Sequence, residues 1–417
     1  MLGLIIASLI ICLTIIFFFL KSSTNKIEDK KGTKISNIKK KEEKKNIIEE
    51  EKEESPKMQK IDISKYLFKT IKEGKNMKKC YFYNKGHAIL FCDEKKFCLC
   101  LFKHLNGEHK IYSKNIDKDI IADVCFSPQK KSIFCASKNS KSIILYNLEK
   151  VEGKIKIKKS DKIINCERPY EIKSLVTNVP GTLISTIGTN DDTEIQIYDS
   201  NSLDLKFKQS TGAIQNFQIL MGPNDSDLLV STFMNDISVI SLEKSDKFNN
   251  ETKKYENVYK FKRNPSISGV KSKLLYYCLS NDEKFFAISG DDKTIKIFRN
   301  YGNIWESKIF SQISIDYNAS VVALYVDDFI DGRLYGYIGA SIGSNAYVYD
   351  INGKLLLELP EAHEGSIISL YIFKEDLNRK ESEDNKEIKN VDKDKKEEFF
   401  LISAGNDGKI KFWKITE

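Results

Sequence analysis

The 417-residue sequence has only two tryptophans, four histidines and seven prolines, and each shortage narrows what the chain can be. With 21 glycines beside those few prolines, a collagen-like or Gly/Pro-rich disordered chain is excluded. Neither a G-x-x-x-x-G-K-[ST] nor a G-x-G-x-x-G loop is present, so nucleotide-phosphate chemistry has no support. His87, His104, His109 and His363 form no H-E-x-x-H or comparable ligand set. The nine cysteines (12, 80, 92, 98, 100, 125, 135, 166, 278) are odd in number and scattered. That excludes a disulfide framework and reads as reduced, mostly buried thiols in a cytosolic body. Charge is plentiful but nearly balanced, Lys+Arg 67 against Asp+Glu 59. In a chain rich in Lys, Ile and Asn, the net +8 is a weak sign of nucleic acid. No cofactor, DNA partner or small-molecule substrate is expected.

What is present begins with Leu2 to Leu20, an uncharged run of 19 residues dominated by Leu, Ile and Phe. At about 1.5 Å per residue it nearly matches a hydrocarbon core of about 30 Å, so a transmembrane signal anchor over 1–20 is expected. The run has no basic segment before it and no A-x-A-like site at its end, which sets a cleavable signal peptide aside. Seven lysines lie between residues 21 and 40 and no Lys or Arg precedes the run. The positive-inside rule therefore puts the body in the cytosol, and the short span without a Trp/Tyr belt suits the thin endoplasmic reticulum membrane. Three sequons, at Asn224, Asn250 and Asn318, would be glycosylated in the opposite orientation. Residues 21–61 read as a charged stalk, basic first (Lys39, Lys40, Lys41, Lys44, Lys45) and then acidic (Glu49, Glu50, Glu51, Glu53, Glu54). Its first lysines serve as the topology signal, with contact to anionic headgroups as the alternative.

Beyond the stalk, over 62–417, apolar residues alternate and one phrase recurs seven times: a short apolar strand, a polar turn, and alternating apolar residues closing on a large side chain. The phrases end at Phe102, Tyr146, Tyr198, Ile240, Phe298, Tyr349 and Trp413, spaced 44, 52, 42, 58, 51 and 64 residues apart. A period of this size in an all-β chain predicts a seven-bladed β-propeller with one four-stranded sheet per blade. The longest interval holds 375–398, rich in acidic and basic side chains without aromatics, which is expected to loop out as a disordered insertion. A polar stretch around Ser245 to Lys254 is expected to do the same in the 58-residue interval. Each phrase supplies two middle strands. A strand before it, such as DVCFSP (123–128), LLYYCLS (274–280) or IISLYIF (367–373), would be the inner one. The outer strands would be HKIYSK (109–114), GKIKIKK (153–159), LKFKQ (205–209), VYKFKR (258–263), SKIFS (307–311) and KLLLEL (354–359). The last blade lacks an outer strand, and the segment around Tyr66, Leu67 and Phe68 is expected to supply it and leave no open edge.

The last repeat carries a resemblance. EAHEGSIISLYIF followed by FFLISAGNDGKIKFW is similar to the WD-repeat family, with His363, Ser403, Asp407 and Trp413 at the family's positions and Asp407 six residues before Trp413. The resemblance implies a hydrogen-bonded tetrad inside the blade. The fifth blade keeps the turn aspartate as Asp292, six residues before Phe298, and elsewhere the pattern is worn. An anchor, a charged stalk and a repeat body in that order also resemble a WD-repeat architecture of the endoplasmic reticulum membrane. This implies a membrane-tethered platform in stress signalling or translation control.

Other motifs point elsewhere and are set aside. Gly339 to Gly343 spell G-x-S-x-G, but a nucleophile elbow needs a strand, a sharp turn and a helix, whereas this motif falls between two strands. Cys98 and Cys100 share one face of a strand with no second pair nearby, so they read as buried thiols. Lys154, Lys156, Lys158 and Lys159 make a basic outer strand; its blander role is to guard a sheet edge, its functional one to meet RNA, the ribosome or acidic lipid. The expected function is a non-enzymatic scaffold that binds protein partners through its turns and rims. A guanine-nucleotide exchange factor for a vesicle-coat GTPase at exit sites is the alternative. The membrane-anchored propeller it would resemble, however, carries its anchor after the repeats.

Overall fold

The computed structural model describes residues 62–415 except 73–75, 84–85, 106, 117, 153, 167, 169–170, 179, 189–193, 211–218, 223–226, 232–236, 250–253, 264–266, 268–271, 302–303 and 377–396. The expected anchor, the stalk through residue 61, and the sequons at Asn224 and Asn250 lie outside the described residues; Asn318 is described and exposed. No helix among the described residues is long and apolar enough to cross a membrane.

A short 3-10 turn (Ile63–Tyr66) leads into β1 (Leu67–Lys72), which does not join the strands that follow it. The next four, β2 (Lys79–Tyr83), β3 (Ala88–Cys92), β4 (Lys96–Phe102) and β5 (His109–Asn115), form the first antiparallel sheet. The second sheet is β6 (Ile121–Ser127), β7 (Ser132–Ser137), β8 (Ser142–Val151) and β9 (Lys154–Asn165), and the third β10 (Ile172–Thr177), β11 (Leu183–Gly188), β12 (Glu194–Asp199) and β13 (Leu205–Ser210). The fourth comprises β14 (Ile219–Met221), β15 (Asp227–Ser231), β16 (Ile237–Asn249) and β17 (Lys254–Arg263). The fifth has β18 (Leu274–Leu279), β19 (Phe285–Gly290) and β20 (Thr294–Tyr301), whose outer edge is shared by β21 (Ile304–Trp305) and β22 (Ser311–Ser314). The sixth is β23 (Val321–Ile330), β24 (Arg333–Ile342), β25 (Asn345–Asp350) and β26 (Leu355–Leu359).

These six sheets are each one continuous piece of chain. A seventh is composite: β27 (Ile367–Asp376), β28 (Glu397–Gly405) and β29 (Lys409–Ile415) come from the C-terminal part, and β1 closes it from the N-terminal side. Leu67 pairs with Trp413, Ile71 with Ile410 and Lys72 with Lys409. The edge that the sequence leaves open is thus covered by the segment expected to cover it.

The core is distributed as a ring. Seven apolar clusters each lie between two neighbouring sheets, and the seventh sheet packs back on the first through Phe373, Phe400 and Phe412 against Ile89, Phe91 and Cys100. A middle strand therefore has apolar neighbours on both faces. In β3, Ile89 and Phe91 face one cluster while Ala88, Leu90 and Cys92 face the next. This is why β3, β7, β11 and β19 are buried at every residue and the strict polar alternation expected of half-buried strands is absent from them. Across the inner strands, Asp123 ties three sheets together. Its carboxylate accepts from the Tyr81 hydroxyl at 2.6 Å, from the Val124 N–H at 2.8 Å and from the Leu175 N–H at 2.9 Å. Complete burial pushes this carboxyl up, against the opposing pull of Lys79 and those hydrogen bonds.

Three expectations need correction. The polar stretch at Ser245 to Lys254 does not simply loop out, because β16 and β17 continue through it and pair as far as Asn249 with Lys254. The insertion at 375–398 is narrower than its composition suggests. Glu375 pairs with Glu398 and Asp376 with Glu397, and two lysines offset part of this charge, Lys374 reaching Glu397 at 2.7 Å and Lys414 reaching Glu398 at 2.6 Å. The outer strand of the fifth sheet is Ser311–Ser314, shifted from 307–311, because Ile304–Trp305 already covers the other end of β20.

Eight cysteines are described, seven of them buried and Cys278 half-buried. Burial raises the thiols of Cys80, Cys92, Cys125 and Cys135 far above their ordinary range and pushes Cys278 up to about 12. These thiols are expected to stay unreactive toward a disulfide reagent at neutral pH in native buffer and to react within seconds in denaturant. Rapid native modification of Cys125 or Cys135 would show that the second sheet opens locally.

Candidate functional site

The inner strands all begin at one end of the ring, where the turns between the two middle strands also lie, and this end carries the tetrad. Trp413 Nε1–H donates to Ser403 Oγ at 2.8 Å, Ser403 Oγ lies 2.8 Å from His363 Nε2, and His363 Nδ1 lies 3.0 Å from Asp407 Oδ1. Indole nitrogen only donates and a carboxylate only accepts, so the direction of the chain is fixed. Ser403 accepts from Trp413 and donates to Nε2, and Nδ1–H donates to Asp407. Asp407 also takes the N–H groups of Glu364 and Lys409, both at 3.1 Å. A Ser-His-Asp relay is also the arrangement of an acyl-transfer nucleophile. Here Ser403 is fully buried and held on both sides, so it pins the loop before β27 to the turn between β28 and β29 and offers no oxygen to a substrate.

Burial holds the His363 imidazole below its ordinary range, outweighing the attraction of Asp407. Burial opposes ionisation of Asp407, but His363 and the two backbone donors hold its carboxyl below the usual range. A folded-state histidine with a lowered pKa stabilises the protein fully above its unfolded value of 6.5, and this contribution declines as the pH falls from there toward the folded value. Asp407 adds a second loss below its unfolded 3.8. The midpoint of denaturant unfolding is therefore expected to fall between pH 7.5 and 5.5. His363→Gln is expected to flatten that slope while lowering stability at pH 7.5 by about 1–3 kcal/mol.

Three other sheets fill the same place differently. In the fifth, Ser272 stands at the histidine position, Ile288 at the serine and Phe298 at the tryptophan; Asp292 accepts from Thr294 and pairs with Lys296 Nζ at 2.5 Å. In the third, the Arg168 guanidinium donates to the Thr186 carbonyl at 2.8 Å and its hydroxyl at 2.7 Å, where Thr186 stands in register with Ser403. In the second, the carboxylate has moved into the loop before β6. Asp119 receives the N–H groups of Ile120 and Asn139 and the Ser137 hydroxyl. Fixed-residue reasoning found only the tetrad and Asp292. In these four sheets a polar residue two to four positions ahead of the inner strand (Asp119, Arg168, Ser272 and His363) is the signal in the sequence.

At the opposite end two hairpins project. β23 and β24 extend past their neighbours through Asp327–Tyr335, and the β20–β21 corner lies beside them. Between them is a cleft of about 480 Å³. The Arg299 guanidinium lies over the rings of Tyr301 at 4.7 Å and Phe329 at 5.0 Å, and Phe329 packs on Phe285 and Phe310. Asp282, Asp327 and Asp328 also line the cleft. Tyr301 (65% exposed) lines it, Ile304 (72%) and Ile330 (52%) lie in the same two hairpins, and Tyr335 (49%) lines a separate cleft of about 380 Å³ on the sixth sheet, so exposed apolar surface is concentrated on two adjacent sheets. A second cleft, of about 340 Å³, opens beside it and reaches the first and seventh sheets. There His87 Nε2 lies 3.3 Å from Glu375 Oε2 and His104 Nδ1 lies 3.7 Å from Oε1 of the same buried carboxylate. Sequence spacing gave no sign of that meeting, which joins residues nearly 290 positions apart.

Compared with solved structures, the chain is similar to the β-propeller domain of Cps50 (Swd1) from Myceliophteria thermophila. The TM-score is 0.52 at 13% identity, over 84% of this chain and 99% of that one. The fold is a β-propeller. No protein-family model matches the sequence, and no curated protein does. Propeller blades that solve the same capping problem with His, Ser, Arg or Asp leave little for a fixed pattern to match. The sheets described above are its blades, and the remaining motifs take their places in them. Ser341 of the G-x-S-x-G run is fully buried within β24 of the sixth blade, with no helix after it. Cys98 and Cys100 both face the cluster between the seventh and first blades. No group of three His, Cys, Asp or Glu with metal-holding geometry occurs among the described residues.

Proposed function

We propose that this protein is a non-enzymatic scaffold, tethered to a membrane, that binds protein partners on the end of the propeller where the fifth and sixth blades project. The observation that carries the reading is the cleft around Arg299 and Phe329, with exposed Tyr301 in its wall and exposed Ile304 and Ile330 in the two hairpins that form it. Aromatic and arginine side chains set in a partly desolvated hollow on a rigid frame are the usual anchors of a protein interface. The order of parts, an apolar run, a charged stalk and a repeat body, is similar to that of transducin beta-like protein 2, a WD-repeat protein of the endoplasmic reticulum membrane. On that likeness the proposal places the propeller on the cytosolic side of that membrane, in stress signalling or translation control.

Two experiments test it. Tyr301→Asp together with Ile330→Asp, both at exposed positions, is expected to remove the proteins recovered with the gently solubilised full chain while leaving the unfolding transition unchanged; an identical set of proteins would sink the site. Protease treatment of intact microsomes is expected to remove a tag placed after Glu417 without detergent, with no glycan on Asn318. Protection of the tag with glycosidase-sensitive mass would overturn the orientation.

A further inference from the structure

The outer hairpin of the second blade carries a charge that the partner-binding reading does not use. Lys154, Lys156, Lys158 and Lys159 of β9 are all exposed, while the intervening Ile155 and Ile157 are half-buried and Ile157 packs with Leu148 against the core. Between Glu149 and Lys162 there are six lysines and three acids, a net +3 within 14 residues of a chain whose total is +8. Across the hairpin Glu149 faces Lys156 and lies 3.7 Å from Lys158, so one acid is spread over two cations. On the neighbouring sheets Lys110 of β5 is exposed and Lys162 reaches the Asn201 carbonyl of the third blade at 3.1 Å, while exposed Lys206 of that blade is paired with Asp204 at 3.4 Å. At the tips, Val151 and Leu205 are exposed aliphatic side chains.

We infer that this hairpin and its flanks dock on the anionic headgroups of a lipid bilayer. The patch holds lysine without arginine, so it presents mobile point charges with no planar fork for bidentate recognition. Its apolar members are aliphatic, where single-stranded RNA would call for aromatic faces on which bases stack. Long lysine stems around aliphatic tips suit the headgroup layer, where each cation adds to the attraction and salt weakens it. Lysine also guards an outer strand against pairing with another chain, but that role is indifferent to lipid.

The test uses the full chain mixed with neutral phosphatidylcholine vesicles or with vesicles enriched in phosphatidylserine, followed by amine-reactive labelling read by mass spectrometry. Lys154, Lys156, Lys158 and Lys159 are expected to label at least about five-fold more slowly on the anionic vesicles, reversibly with salt, while Lys293 at the other end of the propeller labels equally on both. Insertion of an anchor would be common to both vesicle types and leaves this ratio untouched. In a variant combining Lys154→Gln, Lys156→Gln, Lys158→Gln and Lys159→Gln, with its unfolding midpoint unchanged, the protection of Lys110 is expected to disappear. Equal labelling on both vesicles, or protection by added RNA on neutral ones, would overturn the inference.

Discussion

Deleting residues 62–72 is expected to abolish the single cooperative unfolding transition and to send the protein into soluble aggregates. Those residues include β1, which covers the outer edge of β29 along Trp413 to Lys409. Ile71 is buried between the seventh and first blades, Phe68 meets Phe400 edge-on at 5.2 Å, and Lys69 donates to the carbonyls of Leu105 and Gly107. Removing the strand uncovers backbone groups beside Phe412 and Trp413, an apolar edge ready to pair with another chain. It also unties the only blade whose strands come from both ends of the described chain, so the ring can open at one seam. Ile71→Ala is the milder companion: it keeps the strand and is expected to lower stability by about 2–4 kcal/mol with cooperativity intact. Trp413 reports directly on the seam, and Trp305→Phe makes it the sole tryptophan. A deletion variant that stays monomeric and melts in one transition would show that the ring is held without its closing strand.

The second large effect is expected from Gly405→Val. A Cβ at Gly405 would lie 2.4 Å from His363 Nδ1 and 2.6 Å from Asp407 Oδ1, closer than either can tolerate. The imidazole must leave, and Ser403, Asp407 and the Trp413 indole then lose their partners in a water-excluded place. The expected loss is about 3–5 kcal/mol, the sum of several orphaned polar groups. Gly343→Ala separates collision from backbone strain. That residue has φ +56 with nothing within 4 Å of the added atom, so it is expected to lose only about 1 kcal/mol. A Gly405→Val midpoint within about 1 kcal/mol of the parent would mean that the tetrad is not under tension from this contact. The fifth blade offers an internal comparison: Gly290 has the same relation to Ser272 and Asp292, at 2.2 and 2.8 Å. Glycine stands at both places because the loop before the inner strand crosses directly over it.

The tetrad was legible through resemblance to the WD-repeat family, because in the last repeat all four members keep that family's residue types at its positions. Arg168 and Asp119 were not legible. Each sits in a loop and acquires its role only when a middle strand some 20 residues on folds against it, through bonds to Thr186 of β11 and Ser137 of β7. The same limit hid Glu375, which composition assigned to a charged insertion. In the propeller it is the penultimate residue of inner strand β27, enclosed by His87 and His104 from the first blade.

By itself, then, the sequence determined the class of fold, the approximate repeat, the need for a closing strand and the place of the tetrad. The first three follow from local periodicity, or from a residue count that leaves one sheet a strand short; the tetrad's place follows from the last repeat's resemblance to the WD-repeat family. Tertiary structure alone decided which polar strands continue as hairpins, which end of the ring gathers the apolar rim around Arg299, and which charges meet across the seam. Those outcomes depend on residues brought together by ring closure between blades, and alternation along one strand carries no information about its neighbour's register.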